Sequence, residues 1–486
     1  MERDFDARRE PDAAREPTYN TLPDERADVI RRHIRNCVIF ASVLIVLVCS
    51  ERLALSQRDG GFSPRNPTLT GHLPPSRLEN SEFPQPMPVL EDTMEFDEDG
   101  FAVLEEYRSL NIALRTDLPE EDAEALLSRL ETLLTSLSSY WGQRPSGVFT
   151  CYVAQDVTRW PQSIIETMEM VGLSQMQVGA GYCSFIRVRR GPNFHSQAII
   201  YAAANDAIVQ HELVHAYCSH AFGHQGPLWY SEGMAEGGQY WGSGESGVQV
   251  DIRAIRYLRQ SPDKAISEII DLNEPGAWDD YKDRWSLCYF LDQHPSYSET
   301  FRELGRNMLM DRPVSFQRSF ASDFDQITLE YGLFRQNIDQ GYEVGLCTID
   351  LTKHAYELSG DRMFDVEVAA KSGWQPVGLR VTPTQSVQYV AQGEWSLESD
   401  ADPLNGEGDE TGQGRLVGAI LTDDFQMSDE ISLGASGSFT PSAEGRLFVR
   451  CRDSWGSLAD NEGELTTYWR LTPESAPVAQ ASLSGE

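Results

Sequence analysis

Two histidines one helical turn apart, with a glutamate beside the first, are the residues best able to do chemistry in this chain: His211-Glu212-Leu213-Val214-His215. Four residues along an α-helix turn through about 400°, so both imidazoles fall on one face. Two such imidazoles can share one zinc ion, and Glu212 beside them is positioned to act as general base on an attacking water. A third ligand is required. A histidine six residues beyond the pair is excluded, because position 221 is Ala221. Further on, Pro227-Leu228-Trp229-Tyr230-Ser231-Glu232-Gly233-Met234-Ala235-Glu236 carries two carboxylates four residues apart, again on one helical face. An antiparallel return of that segment brings Glu232 to the metal. Glu236, one turn on, then reaches the free ring nitrogen of His211 or His215, the usual partner of a zinc-bound histidine.

These groups need two helices to hold them. Asn205 or Asp206 can cap the first, and Gly223 can end it. Val209, Leu213 and Tyr217 recur at helical spacing and turn its opposite side to a core. The second helix starts near Pro227, a residue suited to a first turn. Upstream, Pro119 and the acidic residues after it predict a helix over 119–141, with leucines at 126, 127, 130, 133 and 134 on its buried side. Val148–Val153 reads as a buried strand, and Phe185–Arg189 alternates as a half-exposed one. Residues from about 250 to 340 return to helical spacing.

His211-Glu212-Leu213-Val214-His215-Ala216-Tyr217 followed by PLWYSEGMAE resembles the MA-like gluzincin metallopeptidases, whose pattern is HExxH, a Trp or Pro-Trp turn, then Glu-Gly-x-Ala-Glu. The resemblance runs over roughly 101–343. It implies His211, His215 and Glu232 as zinc ligands, Glu212 as base, and a thermolysin-like fold whose edge strand pairs with substrate backbone. Tyr281-Lys282-Asp283-Arg284-Trp285 is similar to the Tyr-x-Lys-Gly helix of gluzincin aminopeptidases. That similarity implies Tyr281 as the hydrogen-bond donor to the oxyanion, a task a neutral phenol suits. His220 and His224 are alternatives to Tyr281. One departure concerns the amine anchor of the aminopeptidases, a Glu in Gly-x-Met-Glu-Asn. In Gly179-Ala180-Gly181-Tyr182-Cys183 the corresponding residue is Tyr182, which favours an endopeptidase or an unusual substrate.

Residues 362–472 change character, with short β-rich runs between Gly, Ser, Asp and Pro turns, and predict a small β-sandwich. The stretch 394–415 reads as a long acidic surface loop. Asp453 to Gly463 concentrates oxygen donors and resembles the calcium loop of the bacterial calcium-dependent galactophilic lectins, with Gly373–Trp395 similar to that family's first strands. The resemblance implies Asp453, Asp460 and Asn461 as side-chain ligands of Ca²⁺, Ser457 as a carbonyl ligand, and a glycan as partner. Asp460 stands where the family has Asn. The overall expectation is an α+β chain: a thermolysin/gluzincin-like metallopeptidase domain over 100–345, then a β-sandwich over 362–472, then a tail over 473–486.

The remaining features concern location. The 486 residues carry a net charge of −35. Residues 1–35 hold eight Arg against nine Asp or Glu, so the acidity lies beyond them. Such a surface repels nucleic acid and anionic lipid, which excludes nucleic acid as a partner. Residues 1–36 read as a disordered cytoplasmic tail. Cys37–Cys49 is an uncharged apolar run behind Arg31, Arg32 and Arg35. As a helix it reaches about 20 Å, which suits a signal peptide or a short anchor over 37–50. Membrane contact is confined to that segment, and residues beyond it are expected outside the cytoplasm. Seven prolines between 64 and 88 mark 51–99 as a linker. Six of the eight cysteines follow the apolar run, an even number compatible with disulfides or with buried thiols. The principal expectation is an exported zinc endopeptidase acting on peptide or protein. The rival is a cell-surface carbohydrate-binding protein on an inactive peptidase scaffold.

Overall fold

The computed structural model describes residues 96–472, apart from 98–99, 146, 191–192, 243–245, 275, 360–361 and 400. The expectations for 1–36, 37–50 and 473–486, and for the linker before Phe96, lie outside the described residues. Among the described residues no helix is long and apolar enough to cross a membrane.

The first half is mixed α and β. In chain order it runs β1 (Glu105–Arg108), β2 (Ile112–Thr116), α1 (Glu120–Trp141), β3 (Phe149–Ala154), α2 (Met170–Gln177), β4 (Gly181–Arg190) and β5 (Asn193–Ala203). The helices α3 (Asp206–Phe222), α4 (Leu228–Gln239), α5 (Ile252–Gln260), α6 (Ile266–Asp271), α7 (Trp278–Gln293), α8 (Ser298–Leu309) and α9 (Phe324–Asn337) follow. The strands form one sheet in the order β1-β2-β3-β5-β4. β2, β3 and β5 are parallel neighbours, and among the described residues β4 pairs antiparallel with β5 only, which makes it an edge strand. The strand expected at 185–189 is thus the second half of a ten-residue strand that begins at Gly181.

α1 starts on Pro119 with Glu120, Glu121 and Asp122 in its first turn and buries Leu126, Leu130, Leu133 and Leu134. Carboxylates there oppose the positive end of the helix dipole. In α3 the Asn205 side chain accepts the Ala207 N–H, and Gly223 ends the helix in the left-handed conformation at φ 75°. Val209, Leu213 and Tyr217 are fully buried, so the apolar side of α3 faces the core. The Tyr217 ring stacks on Trp141 of α1 at 5.4 Å. α4 and α7 come into close contact at Gly233, where a Cβ would lie 2.4 Å from Cys288 Sγ and 2.7 Å from the Arg284 carbonyl.

The second half is all β. One sheet is ordered β11-β10-β13-β8-β6 and the other β12-β9-β14-β7. Their strands are β6 (Tyr356–Glu357), β7 (Phe364–Ala369), β8 (Gln375–Val381), β9 (Val387–Ser396), β10 (Leu416–Leu421), β11 (Ile431–Ser432), β12 (Ser436–Phe439), β13 (Gly445–Cys451) and β14 (Glu462–Leu471). Leu379, Val381, Leu447 and Val449 from the first sheet meet Val387, Leu465 and Trp469 from the second in one core. The described residues of 397–415 form a loop, tied down where the Trp395 and Leu404 backbones exchange hydrogen bonds. A smaller cluster bridges the halves, with Leu329 and Leu333 of α9 against Trp374, Val417 and Phe448. The six described cysteines are free thiols, and Cys151, Cys218, Cys288 and Cys451 are buried.

Candidate metal centre

α3 and α4 bring three donors together. His211 Nε2 and His215 Nε2 are 3.2 Å apart, and each is 3.5 Å from Glu232 Oε2. Donors about 2.0–2.1 Å from a tetrahedral zinc stand at corners about 3.3–3.4 Å apart, so these three fit three corners and leave the fourth open. Among the described residues this is the one group of three or more His, Cys, Asp or Glu side chains that could hold a metal ion. The ligand atoms come from adjacent turns of α3 and the first half of α4, and the three side chains are at most 14% exposed.

Glu212 is buried between the histidines and the sheet. Burial pushes its carboxyl above the usual range, against the pull of His211 and His215. Glu232 is driven well below the usual range: burial opposes its charge, but hydrogen bonds from both imidazoles outweigh burial. β4 passes directly alongside. A Cβ on Gly181 would lie 2.6 Å from Glu212 Cγ, so glycine there lets the edge strand run against the base. Tyr281, in the first turn of α7, comes to the same place, with its ring centroid 6.5 Å from that of His211. Burial and the neighbouring Glu232 raise the Tyr281 phenol, which keeps it a hydrogen-bond donor.

Around these groups is a ring of partners. Glu236 Oε1 is 3.8 Å from His211 Nδ1, which makes no hydrogen bond among the described residues. His215 Nδ1 instead meets Ser231 Oγ at 3.2 Å. With Nε2 given to a metal, Nδ1–H donates to that hydroxyl. Ser231 was not legible in the sequence as a partner, although its place beside Glu232 is the signal that could have marked it. Lys282 was also missed. It is 3% exposed, ion-paired with Glu236, hydrogen-bonded to Tyr240 OH at 2.5 Å, and lies 5.0 Å from the centre of the Tyr240 ring. Three glutamates against one lysine give the site an excess of acidic side chains.

The Lys282–Glu236 pair is buried on both sides, so removing one partner strands the other charge. Lys282→Met is expected to cost about 3–5 kcal/mol of stability, read by urea unfolding, and the double variant Glu236→Leu/Lys282→Met less than the single one. A single-variant loss under about 1 kcal/mol would mean that the pair is solvated.

His220 packs on Phe149 at 5.2 Å, and His224 Nδ1 accepts the Gly226 N–H in the turn before α4. Tyr182, at the amine-anchor position, stacks on Tyr201 at 6.5 Å.

The structure brings two of the four candidate calcium ligands together. Asp453 Oδ2 and Asn461 Oδ1 are both buried, the Asn461 side chain is a polar neighbour of the Asp453 carboxyl, and Asp453 Oδ1 accepts the Ser454 N–H. Burial raises the Asp453 carboxyl. Asp460 and Ser457 are exposed at the surface of a short 3-10 turn, Leu458–Asp460, that buries Leu458 instead. The tip of this loop is engaged elsewhere: Trp455 stacks near Tyr342 at 6.3 Å, and Gly456 abuts the Gln340 carbonyl.

No family model matches the chain, and no curated protein matches it. Among solved structures, the N-terminal domain of EclA, described as a PllA-like lectin, is similar at 18% identity and a TM-score of 0.20, over 22% of this chain and 96% of that one. The comparisons thus give a weak structural likeness to a PllA-like lectin domain over a small share of a mixed α and β chain.

Proposed function

We propose that this chain is a zinc-dependent peptidase of the gluzincin kind, an endopeptidase that works outside the cytoplasm. One observation carries the reading: His211, His215 and Glu232 stand at the mutual spacing of three ligands of a tetrahedral zinc, with Glu212 adjacent. Zinc, when bound, polarises the scissile carbonyl and makes water more acidic. The peptide backbone runs along the free edge of β4, held by strand pairing, and arrives beside Glu212 because position 181 has no side chain. Glu212 takes the proton of the attacking water and returns it to the leaving amine. Tyr281, a protonated phenol at the same site, donates to the developing oxyanion. Ser231 and Glu236 orient the two imidazoles from behind. Tyr182 in place of an acidic amine anchor favours cleavage within chains.

The extracytoplasmic assignment rests on the apolar run Cys37–Cys49 behind three arginines. The C-terminal domain is proposed to hold Ca²⁺ through Asp453 and Asn461, and the supporting observation is that these two neighbouring side chains each bury an oxygen. Elemental analysis of the purified full chain tests the main reading: one zinc per chain, with cleavage of a denatured protein substrate that a chelator stops, is expected. A chain that binds no zinc after folding with added metal overturns it and leaves the carbohydrate-binding alternative.

A further inference from the structure

Behind α4, away from the two carboxylates it sends to the metal centre, lies a cavity of about 620 Å³. That size is in the range of small-molecule sites. Its walls come from α1, α4, α7 and the segment around Glu343. Tyr240, Trp241 and Tyr289 present half-buried rings to it, and Trp285 braces two of them, at 5.5 Å from Tyr240 and 5.3 Å from Tyr289.

The charges of the wall are all of one sign. Asp292 and Glu343 are half-buried carboxylates, and the lining includes no Lys, Arg or His. Asp292 accepts from Tyr140 OH at 2.8 Å and from the Gln293 amide at 2.9 Å, both neutral donors. Among the described residues neither carboxylate forms an ion pair. Both sit close to Tyr289, whose phenol is raised first by burial, then by Glu343 and Asp292. Two cations lie nearby outside the lining: Lys282 is ion-paired with Glu236, and Arg302, over the Tyr140 ring at 4.8 Å, attracts the Asp292 carboxylate from behind, against the burial that raises it.

Helix α4 contributes three glycines to the lining, Gly233, Gly237 and Gly238. Glycine inside a helix is destabilising relative to alanine, so each one there needs a reason. For Gly233 and Gly238 close packing requires it, since a Cβ would lie 2.4 Å from Cys288 Sγ or from Val214 Cγ2. Gly237 has nothing within 4 Å of where its Cβ would be, and it lines the cavity. Gly237 is exposed, so the α4 backbone there is open to the cavity and to a ligand entering it.

We propose that this cavity is a second binding site, for a small quaternary ammonium ion seated on Trp241 and Tyr289 between Asp292 and Glu343. Aromatic faces attract such an ion through their quadrupoles, and its methyl groups bury apolar area that a hydrated metal ion would not. Net negative charge with no lining cation selects for it over anions and neutral molecules.

The test is titration of the full chain with choline and with its uncharged tert-butyl analogue, followed by calorimetry and tryptophan fluorescence. Choline is expected to bind saturably and the analogue at least about tenfold more weakly. Asp292→Asn is expected to weaken choline by a similar factor, and Gly237→Leu, whose side chain enters the cavity, to abolish binding with thermal unfolding no lower than the parent's. Equal binding of choline and its analogue overturns the proposal. So does undiminished choline binding by a folded Gly237→Leu variant, or the absence of saturable choline binding to the parent chain.

Discussion

Glu212→Gln is expected to lower peptide hydrolysis by about 10²–10⁴-fold, the contribution of a positioned general base, while the zinc content stays that of the parent. Glutamine keeps the shape of the side chain beside Gly181 and Ile208, so the substrate strand along β4 is undisturbed. It cannot take a proton. Glu212 is not among the three donors at tetrahedral spacing, and so its loss leaves the ligand set intact. The measurement is cleavage rate against metal content on the same preparation. Loss of both together would make Glu212 a structural support of the ligands. Unchanged cleavage would move the base elsewhere in the protein. The same variant separates the rival reading, because binding of a glycan by the C-terminal domain would not respond to it.

Glu232→Ala is expected to weaken zinc by more than about 100-fold, since outer partners of a ligand alone are worth 10–100-fold. It removes a donor at 3.5 Å from both imidazole nitrogens, together with a carboxylate that those imidazoles hold in its charged form. Two histidines on one helix are then left to bind the ion. Stability provides an independent readout. A ligand at 100 times its dissociation constant raises unfolding free energy by about 2.7 kcal/mol, so added zinc should raise the parent's melting temperature and not the variant's. Equal zinc responses in the two would remove Glu232 from the ligand set.

The local part of this site was legible in the sequence because it depends on helix geometry alone. An i, i+4 pair shares a face wherever the helix sits, and the cap at Asn205 and the stop at Gly223 are set by neighbouring residues. The same holds for α1, whose leucine spacing and acidic first turn marked its span to within a residue. The short strands of the C-terminal half were readable for a similar reason, as β-rich runs punctuated by Gly, Ser, Asp and Pro turns are a local signal.

What only the tertiary structure decided is which side chains stand behind the ligands. Glu236 could have served either histidine; the crossing of α3 and α4 gives it to His211 and gives Ser231 to His215. Lys282 reaches Glu236 because Gly233 lets α7 approach α4 to within contact of Cys288, a distance that no spacing within either helix encodes. The candidate calcium loop shows the same limit. Its donors all lie within one short segment, Asp453 to Asn461, yet the 3-10 turn that buries Leu458 sends Asp460 and Ser457 to the surface and turns Asn461 inward. Periodicity is a property of one element, and so the sequence carries it. Partnership between elements depends on how closely their backbones pack, and that is determined only when the whole core assembles.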